Sequence, residues 1–255
     1  MRSSGQIIVL LLLLTGIAAS IRWKKLTIPA ALMGGVVGWL VYTGGGYTGL
    51  LMLAAFFVLG TVATSWHTRM DMRRSGLPHP TPDSNPPDPP KGKGAAPQST
   101  RTTGQVLANG GVAALAGLCI LCRPDQRQTL EILMAASLSS ATADTLSSEL
   151  GMVYGRHHYN VLTWRRDQRG LDGVVSLEGS LLGIAGSSVI ALLYTGGHGW
   201  NNGFWIIVLS GAIGNLTDSI LGASLERKGR LGNDMVNFLN TLTAGLLGGL
   251  LALAQ

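Results

Sequence analysis

Ala141-Thr-Ala-Asp-Thr-Leu-Ser-Ser-Glu-Leu-Gly151 closes an apolar run with two acids, Asp144 and Glu149. Acidic residues at the end of a membrane-length helix are costly there, and they face a bundle interior or mark a functional site. The pattern returns as Gly214-Asn-Leu-Thr-Asp-Ser-Ile-Leu-Gly-Ala-Ser-Leu-Glu226, in which Asp218-Ser-Ile aligns with Asp144-Thr-Leu. In both copies the aspartate lies on a four-spaced stripe of small residues: Ala136, Ser140, Asp144, Ser148 and Ser210, Gly214, Asp218, Gly222. Small residues at that spacing let helix backbones approach closely in lipid. Each aspartate is therefore expected to point into a helix junction, with the rest of the chain bringing the two together.

Of the 255 residues, 46% are hydrophobic and 13% charged, with 36 glycines, and the mean hydropathy is +0.32. These values describe an all-α, polytopic integral membrane bundle. The net charge of +6 sits in short loops between apolar runs. It reads as a topology signal and excludes nucleic acid as a partner. Cys119 and Cys122 form a lone CxxC without a second pair, and they read as lipid-buried thiols.

Apolar runs over 5–21, 28–42, 50–65, 105–121, 129–150, 174–194, 204–221 and 236–254 predict about eight spans. The count is seven if the first run, which ends Ala18-Ala-Ser20, is removed as a signal peptide. Residues 1–66 read as a three-span N-terminal region, 67–103 as a Pro-rich basic linker and 104–255 as a five-span catalytic core. All the Lys and Arg except Arg2, Arg123 and Arg127 fall in alternate loops, which predicts that those loops are cytoplasmic in a plasma-membrane protein. Asn109, Asp144, Glu149, Glu178, Asn215, Asp218, Asn237 and Asn240 then gather at the cytoplasmic end. Val106-Leu-Ala-Asn-Gly110 and Val175-Ser-Leu-Glu-Gly179 each precede an acidic motif. Spans four–five and six–seven therefore read as a parallel internal repeat that pairs the acids.

Carboxylate and amide oxygens are hard ligands, and Mg²⁺ takes one or two carboxylates plus substrate phosphates. Asp144, Glu149 and Asp218 are the candidate metal ligands and catalytic residues. Asn109, Asn215 and Asn237 are candidate helpers, and Arg165, Arg166, Arg169 and Lys228 are candidate phosphate neutralisers. The turn Gly170-Leu-Asp-Gly173, with Asp172, Ser176 and Glu178, would offer backbone N–H groups to a phosphate at a helix start. No glycine loop ending in Lys-Ser/Thr is present, so an ordinary nucleotide-binding fold is excluded. His67 and His198 read as isolated, and His157-His158 as a solvated loop pair.

Four motifs in order, Gln105-Val-Leu-Ala-Asn-Gly, Ala143-Asp-Thr-Leu-Ser-Ser-Glu-Leu-Gly, Asp172-Gly-Val-Val-Ser-Leu-Glu-Gly and Asp218-Ser-Ile-Leu-Gly-Ala, resemble one family across about Arg101–Leu250. It is the membrane family known as domain of unknown function 92, or transmembrane protein 19. Its best-understood relatives are the phytyl phosphate kinases of plant tocopherol synthesis, which resemble membrane polyprenol and phytol kinases. Val174 stands where the family has a second glycine, and Ser180 where it has threonine. The resemblance implies phosphorylation of an isoprenoid monophosphate at the bilayer, with Mg²⁺ inferred and ATP or CTP as donor. The alternative is a transporter or flippase for a phosphorylated lipid or small anion, and a homo-oligomer is left open.

Pro78–Pro97 is too polar to bury a core of its own. Deleting part of it is expected to leave membrane insertion and activity largely intact. Loss of both would mean that the segment docks on the site through Lys91 or Lys93.

Overall fold

Hydrocarbon offers backbone N–H and C=O groups no partners, so a chain in lipid folds as helices or closed barrels, and this one folds as helices. The computed structural model describes residues 2–75 and 100–255, and the Pro78–Pro97 linker lies outside them. The helices are α1 (Arg2–Arg22), α2 (Ile28–Ser75), α3 (Thr103–Cys122), α4 (Arg127–Tyr154), α5 (Leu177–His198), α6 (Gly203–Leu221) and α7 (Asn233–Leu253). A two-residue antiparallel pair, β1 (Tyr159–Asn160) with β2 (Val174–Val175), ties the loop between α4 and α5.

Among the described residues, six helices are long and apolar enough to cross a membrane. The expected spans numbered about eight, and the difference has two physical sources. First, α2 is a hairpin. Gly46 has φ 61° and ψ −153°, a conformation open essentially to glycine alone. The chain reverses there, so a β-carbon at Gly49 would stand 3.0 Å from Val41 O. The second arm returns far enough for Lys25 Nζ to donate to Ser65 Oγ at 3.0 Å. It then continues as helix to Ser75, through residues read from the sequence as linker.

Second, α4 is not among the six apolar helices. It is instead the most enclosed, packed by α2, α3, α5, α6 and α7. Glu131, Ser137, Ser139, Ser140 and Thr142 are all buried on it. A helix that meets protein on every side has no need of an apolar surface, and polar side chains there bond across helices. Ile7, Leu11, Leu51, Val58, Val62, Leu115, Leu181, Leu209 and Leu250, by contrast, are outward-facing leucines, isoleucines and valines on the helices around it.

One interior joins α2 through α7: Val37, Val41 and Met52 of α2 share a core with Ile120, Leu138, Ile190 and Ile207, and Leu251 of α7 packs against it, while α1 packs on a smaller cluster around Leu26, Ala30 and Ala31. The basic segments converge at one end. Thr27 N donates to Arg101 O (3.1 Å), Arg74 Nη2 to Val153 O (2.9 Å) and Arg227 Nη1 to Asp167 Oδ2 (2.8 Å). The Gly46 turn lies at the other end, where Arg127 Nη2 donates to Gly44 O (2.8 Å). Exposed tryptophans stand near both ends, Trp23 and Trp164 at the basic one, Trp200 and Trp205 at the other, as interfacial rings do.

Glycine sets how closely α2 and α3 approach. A β-carbon at Gly117 would overlap the carbonyl of Leu40, whereas one at Gly111 meets nothing within 4 Å. Gly117→Ala is expected to destabilise the protein by about 1–3 kcal/mol, read as a lower Tm in detergent. Gly111→Ala, on the same helix, should leave Tm unchanged or slightly raised. Equal effects from the two would contradict the close backbone contact.

Candidate functional site

The small-residue stripes do what their spacing suggests. α4 and α6 run parallel, and β-carbons added at Gly211 and Gly214 would collide with Ser139 and Ser140. Ser139 Oγ donates across to Ile207 O at 3.2 Å. This approach places Asp144 and Asp218 side by side, with their carboxyl groups close enough to interact directly. Carboxyl groups in such contact hold either a shared proton or a cation between them. Asn240 Nδ2 donates to Asp218 Oδ1 (3.3 Å) and Ser140 Oγ donates to Asn240 Oδ1 (2.5 Å), so α4, α6 and α7 are locked together at the pair. Ser147 Oγ donates to Asn215 Oδ1 at 3.1 Å. Both aspartates are half-buried among the helices.

Glu149 belongs to a neighbouring cluster. It accepts from Thr64 Oγ1 at 2.7 Å, and its other oxygen lies 2.6 Å from His67 Nδ1. His67 Nε2 stands 3.0 Å from Asp71 Oδ2, and Arg169 Nη2 lies 3.5 Å from Asp71 Oδ1. Glu149 and Glu226 are within electrostatic reach of Asp144, as Asp172 is of Asp218. Even so, among the described residues no three or more His, Cys, Asp or Glu side chains come close enough to hold a metal ion. The three-carboxylate metal set expected from the sequence is therefore not assembled. The reason lies in the spacing: residues five apart diverge by about 140° around an α-helix, so Glu149 faces α2 while Asp144 faces α6.

The loop between α4 and α5 is built, not slack. Asp167 accepts from Arg227 Nη1 (2.8 Å), Gln168 N (2.8 Å) and Asn160 Nδ2 (3.3 Å), and Arg227 Nε donates to Asp172 O (2.5 Å). Gly170 and Gly173 have φ of 84° and 70°. A β-carbon at Gly173 would run into Ala223 and lie 2.5 Å from Ser219 O. That glycine thus serves close packing against the end of α6. Ser176 is likewise buried as the cap of α5, accepting from Gly179 N at 3.1 Å, and Glu178 accepts from Arg156 N at 3.4 Å.

Other expected residues fall elsewhere. Arg165, Arg166 and Lys228 are exposed, and Arg227, adjacent to Lys228, is the one that reaches inward. Asn109 Nδ2 donates to Gln105 O in its own helix. Asn240, one turn beyond Asn237, holds the place expected of Asn237. The histidines are not isolated either. At the opposite end His198 Nε2 lies 2.9 Å from Glu131 Oε2, and Arg127 Nε donates to Glu131 Oε1 at 2.9 Å. The i, i+4 spacing of His67 and Asp71 was a readable signal of a shared helix face. Asn240 was among the polar residues expected at this end, whereas nothing in the sequence distinguished Arg227 from its neighbours.

The four motifs thus occupy one region at the basic end of the bundle, and the model of the family described as integral membrane protein DUF92 matches residues 10–245. The chain belongs to the DUF92 family. That match runs from within α1 into α7, so it takes in both clusters. DUF92 relatives include the chloroplastic protein VTE6 of Arabidopsis thaliana, 32% identical over 90% of this chain and 63% of that protein. An uncharacterized membrane protein of Methanocaldococcus jannaschii is 30% identical over 84% of this chain and 80% of its own. One from Synechocystis is 31% identical over 93% and 87%. No solved structure matches.

The Asp167 brace is testable by pH. The hydrogen bond from Arg227, with those from Gln168 and Asn160, holds the Asp167 carboxyl below the usual aspartate range. A pKa depressed by folding contributes stability above the unfolded value, about 3.9, and that stability is lost as pH falls through the folded one. Hydrogen exchange across Asn160–Gly173 is therefore expected to stay slow from neutral pH down and to quicken only in strong acid. Asp167→Asn should quicken it at neutral pH and flatten the acid response. A variant as protected as wild type would mean that the brace is idle.

Proposed function

We propose that this protein is a membrane phosphotransferase acting on isoprenoid phosphates. It would move the terminal phosphoryl group of ATP or CTP to an isoprenoid monophosphate at the cytoplasmic face. The observation that carries the reading is the Asp144–Asp218 pair, held among α4, α6 and α7 next to the braced loop that packs on the end of α6. The motif resemblance to the phytyl phosphate kinases supports the same chemistry. In the reaction a phosphate oxygen of the lipid attacks the terminal phosphorus of the nucleotide. The new phosphoanhydride bond forms as the old one breaks, and the nucleoside diphosphate departs.

Such transfer asks a protein mainly for positioning and for charge opposite the phosphates. The donors at the pair are all oxygens: two carboxyl groups, with the Asn215 and Asn240 amide oxygens already engaged by serines. That set fits Mg²⁺ shared with substrate phosphates, and when bound the ion would neutralise phosphate charge. Asp144 and Asp218 would hold it, with Asn240 and Ser140 fixing the orientation of Asp218. Glu149 would act beside the pair, from its contacts with Thr64 and His67. The carrier reading is weaker, because Met134, Leu138, Ile190, Tyr194 and Ile207, all fully buried, fill the interior between the pair and Glu131.

Purified protein given a prenyl monophosphate, Mg²⁺ and ATP or CTP should yield the diphosphate by mass spectrometry. Asp144→Asn and Asp218→Asn are each expected to lower turnover by about a hundredfold or more, the scale of losing one electrostatic group from such a site. Both variants should still insert and purify. Full activity in both would refute the pair's role and favour a carrier.

A further inference from the structure

Arg101 sits outside the loops from which phosphate ligands were expected, yet its surroundings are those of an anion site. Its backbone is pinned on both sides: Arg101 N donates to Lys25 O at 2.9 Å, and Arg101 O accepts from Thr27 N at 3.1 Å. The guanidinium lies 5.6 Å and 5.9 Å from the ring centroids of Phe56 and Phe57 on the second arm of α2. Those aromatic faces hold a cation without consuming its hydrogen-bond donors.

Its direction comes from Gly60. A β-carbon there would lie 2.6 Å from Arg101 Nη2 and 3.2 Å from Thr145 Cγ2. The missing side chain is therefore the gap through which the guanidinium reaches α4, beside Asp144 and one turn before Glu149. Glu149 is within electrostatic reach, but its oxygens are taken by Thr64 and His67. Arg127, Arg169 and Arg227 each face an acid at 3.5 Å or less. Among the described residues Arg101 has no carboxylate in ion-pair contact. An arginine keeps its charge, and its planar fork matches phosphate oxygens.

We propose that Arg101 is a phosphate-binding residue of this site, its guanidinium receiving a phosphate group beside Thr145 through the gap at Gly60. The inference rests on the phosphate-transfer reading for its ligand class. The phosphate belongs either to the isoprenoid acceptor or to the nucleotide donor, and binding measurements separate the two.

Full-length protein in nanodiscs would be titrated with phytyl monophosphate and, separately, with non-hydrolysable analogues of ATP and CTP. Arg101→Ala is expected to weaken one of these ligands by about ten- to a hundredfold, the scale of a lost charge-assisted pair. Arg101→Lys should recover only part, because an ammonium lacks the planar fork. Gly60→Ala keeps the charge but pushes the head out of the gap, and it should weaken the same ligand. It also serves as the decisive variant if Arg101→Ala does not purify. Loss confined to phytyl monophosphate assigns Arg101 to the acceptor, and loss confined to an analogue assigns it to the donor. Wild-type affinity for every ligand in Gly60→Ala and Arg101→Lys overturns the proposal, as does a wild-type protein that binds none of them. Because turnover is not the readout, a wild type that binds phosphate but transfers none refutes the kinase and leaves this assignment standing.

Discussion

A carboxyl group at membrane depth must be walled off from acyl chains, and that requirement governs the arrangement of this bundle. Asp144 and Asp218 meet where α4 and α6 come closest, and the approach depends on Gly211 and Gly214 facing serines. The remaining helices supply what the two carboxyls lack. α7 brings Asn240, α2 and α3 close the sides of α4, and α5 packs along it through Gly179, Gly183 and Gly186. Burying polar groups is tolerable only when each finds a partner, and the chain from Ser140 through Asn240 to Asp218 meets that condition.

The second arm of α2 makes the site more than a pair of acids. It delivers Thr64, His67 and Asp71 to Glu149 and Arg169, and Phe56 and Phe57 to Arg101. An N-terminal hairpin thus shapes a region whose acids come from the C-terminal half. The arm reaches that position only because the chain turns back at Gly46, so one glycine at the far end of the molecule sets the site's outer wall.

Much of this was readable from residues alone. The doubled acidic motif and its small-residue stripes were enough to pair Asp144 with Asp218, because four-residue periodicity maps directly onto a helix face. The loop charges were enough to gather the basic segments at one end. Glu149 was misplaced because proximity in sequence outweighed the rotation between residues five apart. Gly170–Gly173 was read as a phosphate turn, and glycine spacing alone does not say that at Gly173 the freed space faces another backbone. The partners of Glu149 come from residues about 80 positions away, and no local pattern encodes such a contact.

The polarity of α4 carries a consequence for biogenesis. This helix emerges from the ribosome before α5, α6 and α7, yet it bears Glu131, Asp144, Glu149 and a run of hydroxyl side chains. Alone it would partition poorly from the translocon into lipid. Its residence in the membrane is therefore expected to depend on screening by α2 and α3, already made, and by the later helices that complete its enclosure. The C-terminal helices would serve as its internal chaperone, and the polar side chains gathered on α4 tie its burial to the packing of α5, α6 and α7.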